Sequence, residues 1–323
     1  MNLKLIIFKI FNYVLKNKKF AYAAKKVGFL YLSSNFFIRA ILSTFLIPFY
    51  IIKTYISFYG KFILPNVSIS VTNKCNLNCD GCNNLIPFYK NPENPSTTEQ
   101  IKDLKRLLDI VDHIGILETA GGGEPFLNRK FGDILEFLLT DEKYSKKFDK
   151  ITITTNGTVI PDKKSMKVIS EHLSRVRIYV SYYGDKSDKL INFLEKRNIP
   201  YSMEKDAEWY DLGNVIKYNR NQKELFEMFS SCLNNKNCNT YVDGKYHLCQ
   251  TSGHGMNLNL IPKKNDELVD LRVNSENKED IAKKRKELKK LLSKKCISSC
   301  DYCNQTSPIL VGKKENIINK QGE

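Results

Sequence analysis

Three cysteines stand in the run Cys75-Asn-Leu-Asn-Cys79-Asp-Gly-Cys82. Thiolates at these gaps can wrap one compact metal centre. Gly81 and the neighbouring Asn73, Asn76, Asn78, Asn83 and Asn84 tolerate the left-handed backbone that such a loop needs. A cubane iron–sulfur cluster ordinarily takes four cysteines, so three leave one iron open to a further ligand, which invites chemistry. The same spacing also serves a structural zinc ion with a distant fourth ligand, and spacing alone leaves both readings open.

Six more cysteines follow: Cys232, Cys238, Cys249, Cys296, Cys300 and Cys303. The total of nine is odd and gives no complete set of internal disulfides. Lys4 and Lys9 interrupt the first apolar stretch, so it does not read as a clean secretory signal. Clustered cysteines without export point to metal binding in a reducing compartment, and we expect a cytoplasmic protein.

The elements that must position the first cluster begin near Pro65. Alternation of β-branched residues predicts strands over 66–72, 115–119, 150–155, 177–182 and 199–203, with a sixth less clearly marked at 214–218. Amphipathic helices are expected over 97–114, 131–139, 164–173 and 187–197. Repeating β–α units of this size indicate a parallel sheet covered by helices, and the strand number favours an incomplete α/β barrel. A helix over 222–230 follows. A hairpin over 239–249 turns at Asp243-Gly244, and a Lys-rich helix spans 280–295. The first cysteine loop directly follows the first strand, at the carboxyl end of the sheet where α/β sites form.

Further motifs stand at the ends of the next strands: Gly121-Gly122-Gly123-Glu124-Pro125, then Thr154-Thr155-Asn156-Gly157, then Ser181. With the Cys-x-x-x-Cys-x-x-Cys loop ahead of them, the chain resembles the radical S-adenosylmethionine (SAM) superfamily. Gly122, Gly123, Glu124 and Pro125 match the family motif that receives the SAM amino group. Physically, glycines allow close backbone approach and Glu124 adds an anionic acceptor for an ammonium. Asn156 and Ser181 match SAM-contacting positions. Gly81 stands where the family often has an aromatic residue, which implies altered packing around the adenine. The resemblance implies a partial (β/α)6 barrel over 65–220, with a 4Fe-4S cluster on Cys75, Cys79 and Cys82. Reductive cleavage of SAM would then give a 5′-deoxyadenosyl radical that removes hydrogen from a substrate. It also implies an electron donor such as flavodoxin or ferredoxin.

The second copy of the spacing, at 296–303, has no strand feeding it, so SAM is assigned to the first. Cys232, Cys238, the hairpin leading to Cys249, and the pair Cys300 and Cys303 resemble the SPASM and twitch extensions of the superfamily. This resemblance implies a small C-terminal iron–sulfur domain over 221–323 with one auxiliary 4Fe-4S cluster. Cys232, Cys249, Cys300 and Cys303 are the preferred ligands, Cys238 can replace Cys232, and Cys296 is a spare ligand or a buried thiol. A zinc ribbon is the alternative for the same residues. His247 and His254 flank Cys249 and are assigned no role.

Residues 1–64 carry ten Lys or Arg and no Asp or Glu, so +10 of the net +16 lies in the first fifth of the chain. The longest uncharged stretch there, 40–52, is shorter than the ~20 residues of a membrane span. A basic, aromatic, acid-free helical segment fits an interfacial helix at the inner face of an anionic membrane, or a helical layer on the main domain. The Lys-rich helix lacks interleaved aromatics and reads as a solvated face, which disfavours nucleic acid as a partner. Trp209 and Asp211, in Glu208-Trp-Tyr-Asp-Leu-Gly213, are candidate substrate contacts able to stack on and hydrogen-bond a sugar. The layout also resembles a radical SAM group found with surface-polysaccharide genes, which implies a nucleotide- or lipid-linked sugar, a small-molecule or glycan substrate. A peptide-modifying enzyme and a non-catalytic zinc-binding adaptor are the alternatives.

Overall fold

The computed structural model describes residues 60–79, 81–92, 94–204, 215–232, 239–273, 277–304 and 318–319. The expected N-terminal helices, Cys238, Trp209 and Asp211 lie outside these residues. Two compact units divide the chain, 1–65 with 111–115, and 66–110 with 116–323. In the first unit, the Phe62 N–H donates to the Asp112 carboxylate at 2.6 Å and the Asp112 N–H donates to Phe62 O at 2.9 Å.

Eight strands form one open sheet: β1 (Ile63–Ile69), β2 (His113–Glu118), β3 (Phe148–Thr155), β4 (Val176–Ser181), β5 (Tyr201–Glu204), β6 (Thr240–Val242), β7 (Lys245–His247) and β8 (Leu268–Asp270). Their spatial order is β5-β4-β3-β2-β1-β6-β7-β8. Pairing is parallel between β3 and β4, β4 and β5, and β1 and β6, and antiparallel through β6, β7 and β8. The fold is thus α/β with an unclosed sheet, as the β–α repeats predict.

The helices are α1 (Thr97–Ile110), α2 (Phe131–Thr140), α3 (Lys163–Glu171), α4 (Asp185–Glu195), α5 (Gln222–Ser231), α6 (Gln250–Asn257) and α7 (Lys278–Leu292). Strand alternation separates two faces. Ile151, Ile153, Ile178 and Val180 are buried, while Thr154, Tyr179 and Ser181 line a cavity. The apolar stripes of the helices, such as Leu104, Leu107 and Leu108 on α1 and Leu190, Ile191 and Leu194 on α4, are buried.

Several boundaries differ from the sequence reading. β1 begins at Ile63 rather than Asn66, and α1 stops at Ile110 so that His113 and Ile114 enter β2. The described part of 214–218 contains no strand. The hairpin turns where expected, with Asp243 and Gly244 both left-handed at φ 49° and 70°. It extends the main sheet alongside β1, with Ser68 opposite Thr240. Sequence reasoning did not foresee α6 or β8. The α6 sequence QTSGHGMN has poor helix propensity. Packing fixes it instead: a Cβ on Gly253 would lie 2.7 Å from the Thr240 methyl, and one on Gly255 would lie 2.5 Å from Ile261. Only glycine lets this helix come so close to its neighbours.

Candidate active site

At the carboxyl ends of β1–β5 lies a cavity of about 570 Å³. Its size falls within the range of small-molecule sites. The loop after β1 gives it Cys75, Cys79, Gly81 and Cys82, and the segment after β2 gives Gly122, Gly123 and Glu124. Thr154, Thr155 and Asn156 come from the end of β3, and Ser181 and Tyr183 from the end of β4. Every residue assigned to the first cluster and to SAM therefore faces one space, except Pro125. Pro125 is buried and opens the short helical turn Pro125–Leu127.

The cysteine loop is held by backbone and amide contacts. Gly81 has φ 69°, the left-handed conformation foreseen for it. The Asn156 amide donates to Asn76 Oδ1 at 3.0 Å and approaches Cys75 Sγ at 3.8 Å, while the Asn76 amide donates to Thr158 at 2.7 Å. The glycine motif is tied to the same loop, with the Gly123 N–H on Thr72 O at 2.7 Å and the Glu124 N–H on Lys74 O at 2.9 Å. A Cβ on Gly122 would lie 2.3 Å from Thr72 O, and one on Gly123 would lie 2.1 Å from Lys74 O. The glycines were expected to admit a ligand. They first admit the backbone of the cysteine loop.

Glu124 is buried, at 2% exposure. Its carboxylate accepts from Thr155 Oγ1 at 2.7 Å, from the Asn156 N–H at 2.7 Å and from the Phe126 N–H at 3.2 Å. It therefore locks the end of β3 to the end of β2 as well as facing the cavity. Burial pushes its carboxyl up to about 7, against these three hydrogen bonds. An ammonium arriving in the cavity would draw it back down.

Tyr183, Gln250, Tyr179, Glu118 and Glu204 also line the cavity, and no sequence motif flagged them. Burial, together with the nearby Cys79 and Cys82, raises the Tyr183 phenol. The Tyr179 hydroxyl donates to Glu204 across the β4–β5 ladder. The period-2 alternation that brings Ser181 inside brings Tyr179 with it, which was the available signal.

A second cysteine group lies around α6. Cys249 caps the helix, accepting from the Ser252 N–H at 3.2 Å. It feels Cys300, Cys303 and Cys232 as electrostatic neighbours, and Cys300 feels Cys303 and Cys232. These are the four preferred residues. Cys296 is half-buried and directed at Gln222 Oε1 at 3.9 Å.

Both groups suit a multinuclear centre. Burial pushes the Cys75 thiol up to about 11 and Cys300 up to about 12, and raises Cys82 and Cys249. Such thiols become thiolates when a metal supplies the missing positive charge. Among the described residues, no three Cys, His, Asp or Glu side chains gather closely enough to hold a single ion. A cubane does not require that convergence, because each thiolate meets a different iron.

Residues 69–205 match the family model of the radical SAM superfamily. This segment is a radical SAM domain. The family implies SAM and a 4Fe-4S cluster, and the cavity presents the residues to hold both. Among curated proteins, the probable GTP 3',8-cyclase of Archaeoglobus fulgidus is 28% identical over 149 residues, covering 43% of this chain and 46% of that protein. The GTP 3',8-cyclase of Clostridium acetobutylicum is 31% identical over 128 residues, covering 39% and 37%. The chain thus spans about half or less of the length of these relatives. Among solved structures, BtrN in complex with AdoMet and 2-DOIA aligns at TM-score 0.46 and 18% identity, over 76% of this chain and 94% of that one. Native anSMEcpe with bound AdoMet aligns at TM-score 0.44 and 14% identity, over 70% and 82%.

Proposed function

We propose that the chain is a radical SAM enzyme that abstracts hydrogen from a small-molecule or glycan substrate at the mouth of this cavity. The observation that carries the reading is the convergence on one cavity of Cys75, Cys79, Cys82, Gly122, Gly123, Glu124, Asn156 and Ser181. Cys75, Cys79 and Cys82 would hold the SAM-binding cluster, and Cys232, Cys249, Cys300 and Cys303 an auxiliary one. Reductive cleavage of SAM to methionine and a 5′-deoxyadenosyl radical is the chemistry the first cluster supplies when bound. The chain's own residues do the positioning. Glu124 meets the SAM ammonium, and Thr155 and Asn156 hold Glu124 in place. Tyr183 walls the space beside Cys79 and Cys82.

For the substrate we favour a sugar carried on a nucleotide or lipid, as in surface-polysaccharide biosynthesis. Glu118, Thr154, Tyr179 and Glu204 offer the hydroxyl and carboxylate groups that hydrogen-bond sugar hydroxyls. The described lining includes no Lys or Arg to meet phosphates. This favours the sugar end of such a molecule in the cavity over a triphosphate, although the curated relatives are named for GTP.

The test is reductive SAM cleavage by anaerobically reconstituted protein, wild type beside Cys79→Ala. Wild type should form 5′-deoxyadenosine and the variant none. A wild type with full iron content that neither cleaves SAM nor changes its electron paramagnetic resonance on SAM addition would falsify the reading. Stimulation by nucleotide-linked sugars but not by GTP would select the substrate class.

A further inference from the structure

Three successive carbonyls precede Gly123-Glu124, and side-chain donors hold each of them. Ala120 O accepts from the Asn84 amide at 2.8 Å and from the Gln250 amide at 3.1 Å. Gly122 O accepts from Asn84 at 2.6 Å. Gly121 O pairs with His254 Nε2 at 2.8 Å. Gln250 and His254 are four residues apart on α6, so both project from the same face of the helix. A carbonyl can only accept, so His254 Nε2 carries the proton and Nδ1 accepts from the Tyr89 hydroxyl at 2.8 Å. The Tyr89 ring packs edge-on against the imidazole at 5.8 Å between centroids. His254 is fully buried, and burial holds its pKa down at about 4, so it stays a neutral donor–acceptor.

His254 does not line the cavity. It grips the peptide that fixes how the glycine motif meets the cysteine loop. Turning the Gly121–Gly122 peptide would also turn the segment whose next N–H groups reach Thr72 O and Lys74 O.

Resting on the reading of the cavity as a SAM site, we propose that His254 is a positioning residue for SAM. Its Nε2–H···O=C bond to Gly121 holds the amino-group motif in its binding form. The helix capped by Cys249 thereby sets the affinity of a site whose other lining residues all lie between Cys75 and Glu204.

The experiment uses the full-length, reconstituted protein. SAM is titrated against the reduced cluster and followed by electron paramagnetic resonance, for wild type, His254→Leu and His254→Gln. Leucine has no donor, whereas the glutamine amide reaches the place of Nε2. The expected result is about tenfold weaker SAM binding in the leucine variant, near wild-type binding in the glutamine variant, and wild-type iron content in both. A leucine variant with full iron that binds SAM like wild type overturns the proposal, and so does a glutamine variant as weak as leucine. If the leucine variant fails to fold, Tyr89→Phe leaves the imidazole in place but frees Nδ1, and SAM binding should weaken about threefold. Unchanged binding there overturns the proposal as well. A wild type whose spectrum ignores SAM removes the underlying reading, whereas a responsive wild type with equally responsive variants removes only the role of His254.

Discussion

At Gly123 an added methyl would collide with Lys74 O, a backbone atom that can yield only if the cysteine loop moves. Gly123→Ala should therefore cost roughly 3 kcal/mol or more of stability. It should also lower iron retained after reconstitution, and a variant with wild-type melting and iron content would show that the loop is slack. The protonation of His254 gives a second prediction at this scale. Its folded pKa of about 4 lies below the ordinary 6.5, so between those values the unfolded chain takes up the proton first and stability falls as pH drops. Glu124, raised to about 7, acts in the opposite sense as pH falls but is common to wild type and His254→Gln. Relative to that variant, wild type should lose up to about 1.4 kcal/mol per pH unit as pH falls from 6.5 to about 4, read by urea titration of metal-free protein. Parallel curves would mean that the imidazole is not held neutral. That Cys75, Cys79, Cys82, Glu124 and Asn156 would face one space could be read from their motifs and from the strand ends that carry them. The places of His254 and Tyr183 could not, since a lone polar residue carries no sign of which backbone it will meet.

Among the elements, the long periodic ones and the Asp243-Gly244 hairpin were readable, whereas α6 and β8 were not. α1 to α4 and β1 to β5 came from hydrophobic period, with ends off by a few residues. α6 has two glycines and no apolar stripe, and exists because its neighbours leave room for a bare backbone. α5 shows the local kind of stability. Asn221 caps it by accepting from the Lys223 and Glu224 N–H groups, and Glu224 returns a bond to the Asn221 N–H at 2.7 Å. Asn221→Ala should cost about 1 kcal/mol. Cys232 sits at the other end of this helix, and Arg220 before it donates to Cys300 O at 3.0 Å. Arg220→Ala should thus speed iron loss from the second cysteine group without changing SAM binding at the first. Equal loss from both groups would contradict that separation.

For the molecule as a whole, two clusters imply about eight irons per chain, falling to about four in a Cys249→Ala, Cys300→Ala double variant. Zinc in place of iron at the second group would end the auxiliary-cluster reading. No described helix is long and apolar enough to cross a membrane. For the basic segment before Gly60 we propose contact with an anionic bilayer, the alternative being a helical layer on the main domain. Full-length protein should pellet with anionic liposomes, and a chain starting at Gly60 should stay in the supernatant. That start keeps β1 whole, which one at Pro65 would not.

The pairing of β1 with β6 joins residues as far apart as Ser68 and Thr240, 172 positions along the chain. On a translating ribosome β1 emerges early, and its β6 partner follows only after roughly 10–35 s of further synthesis. During that interval one edge of β1 has no partner and the thiols of Cys75, Cys79 and Cys82 hang from its end. Contacts of such range close late and slowly. The nascent chain must therefore keep these thiols reduced and this edge from pairing with a neighbour until the hairpin arrives.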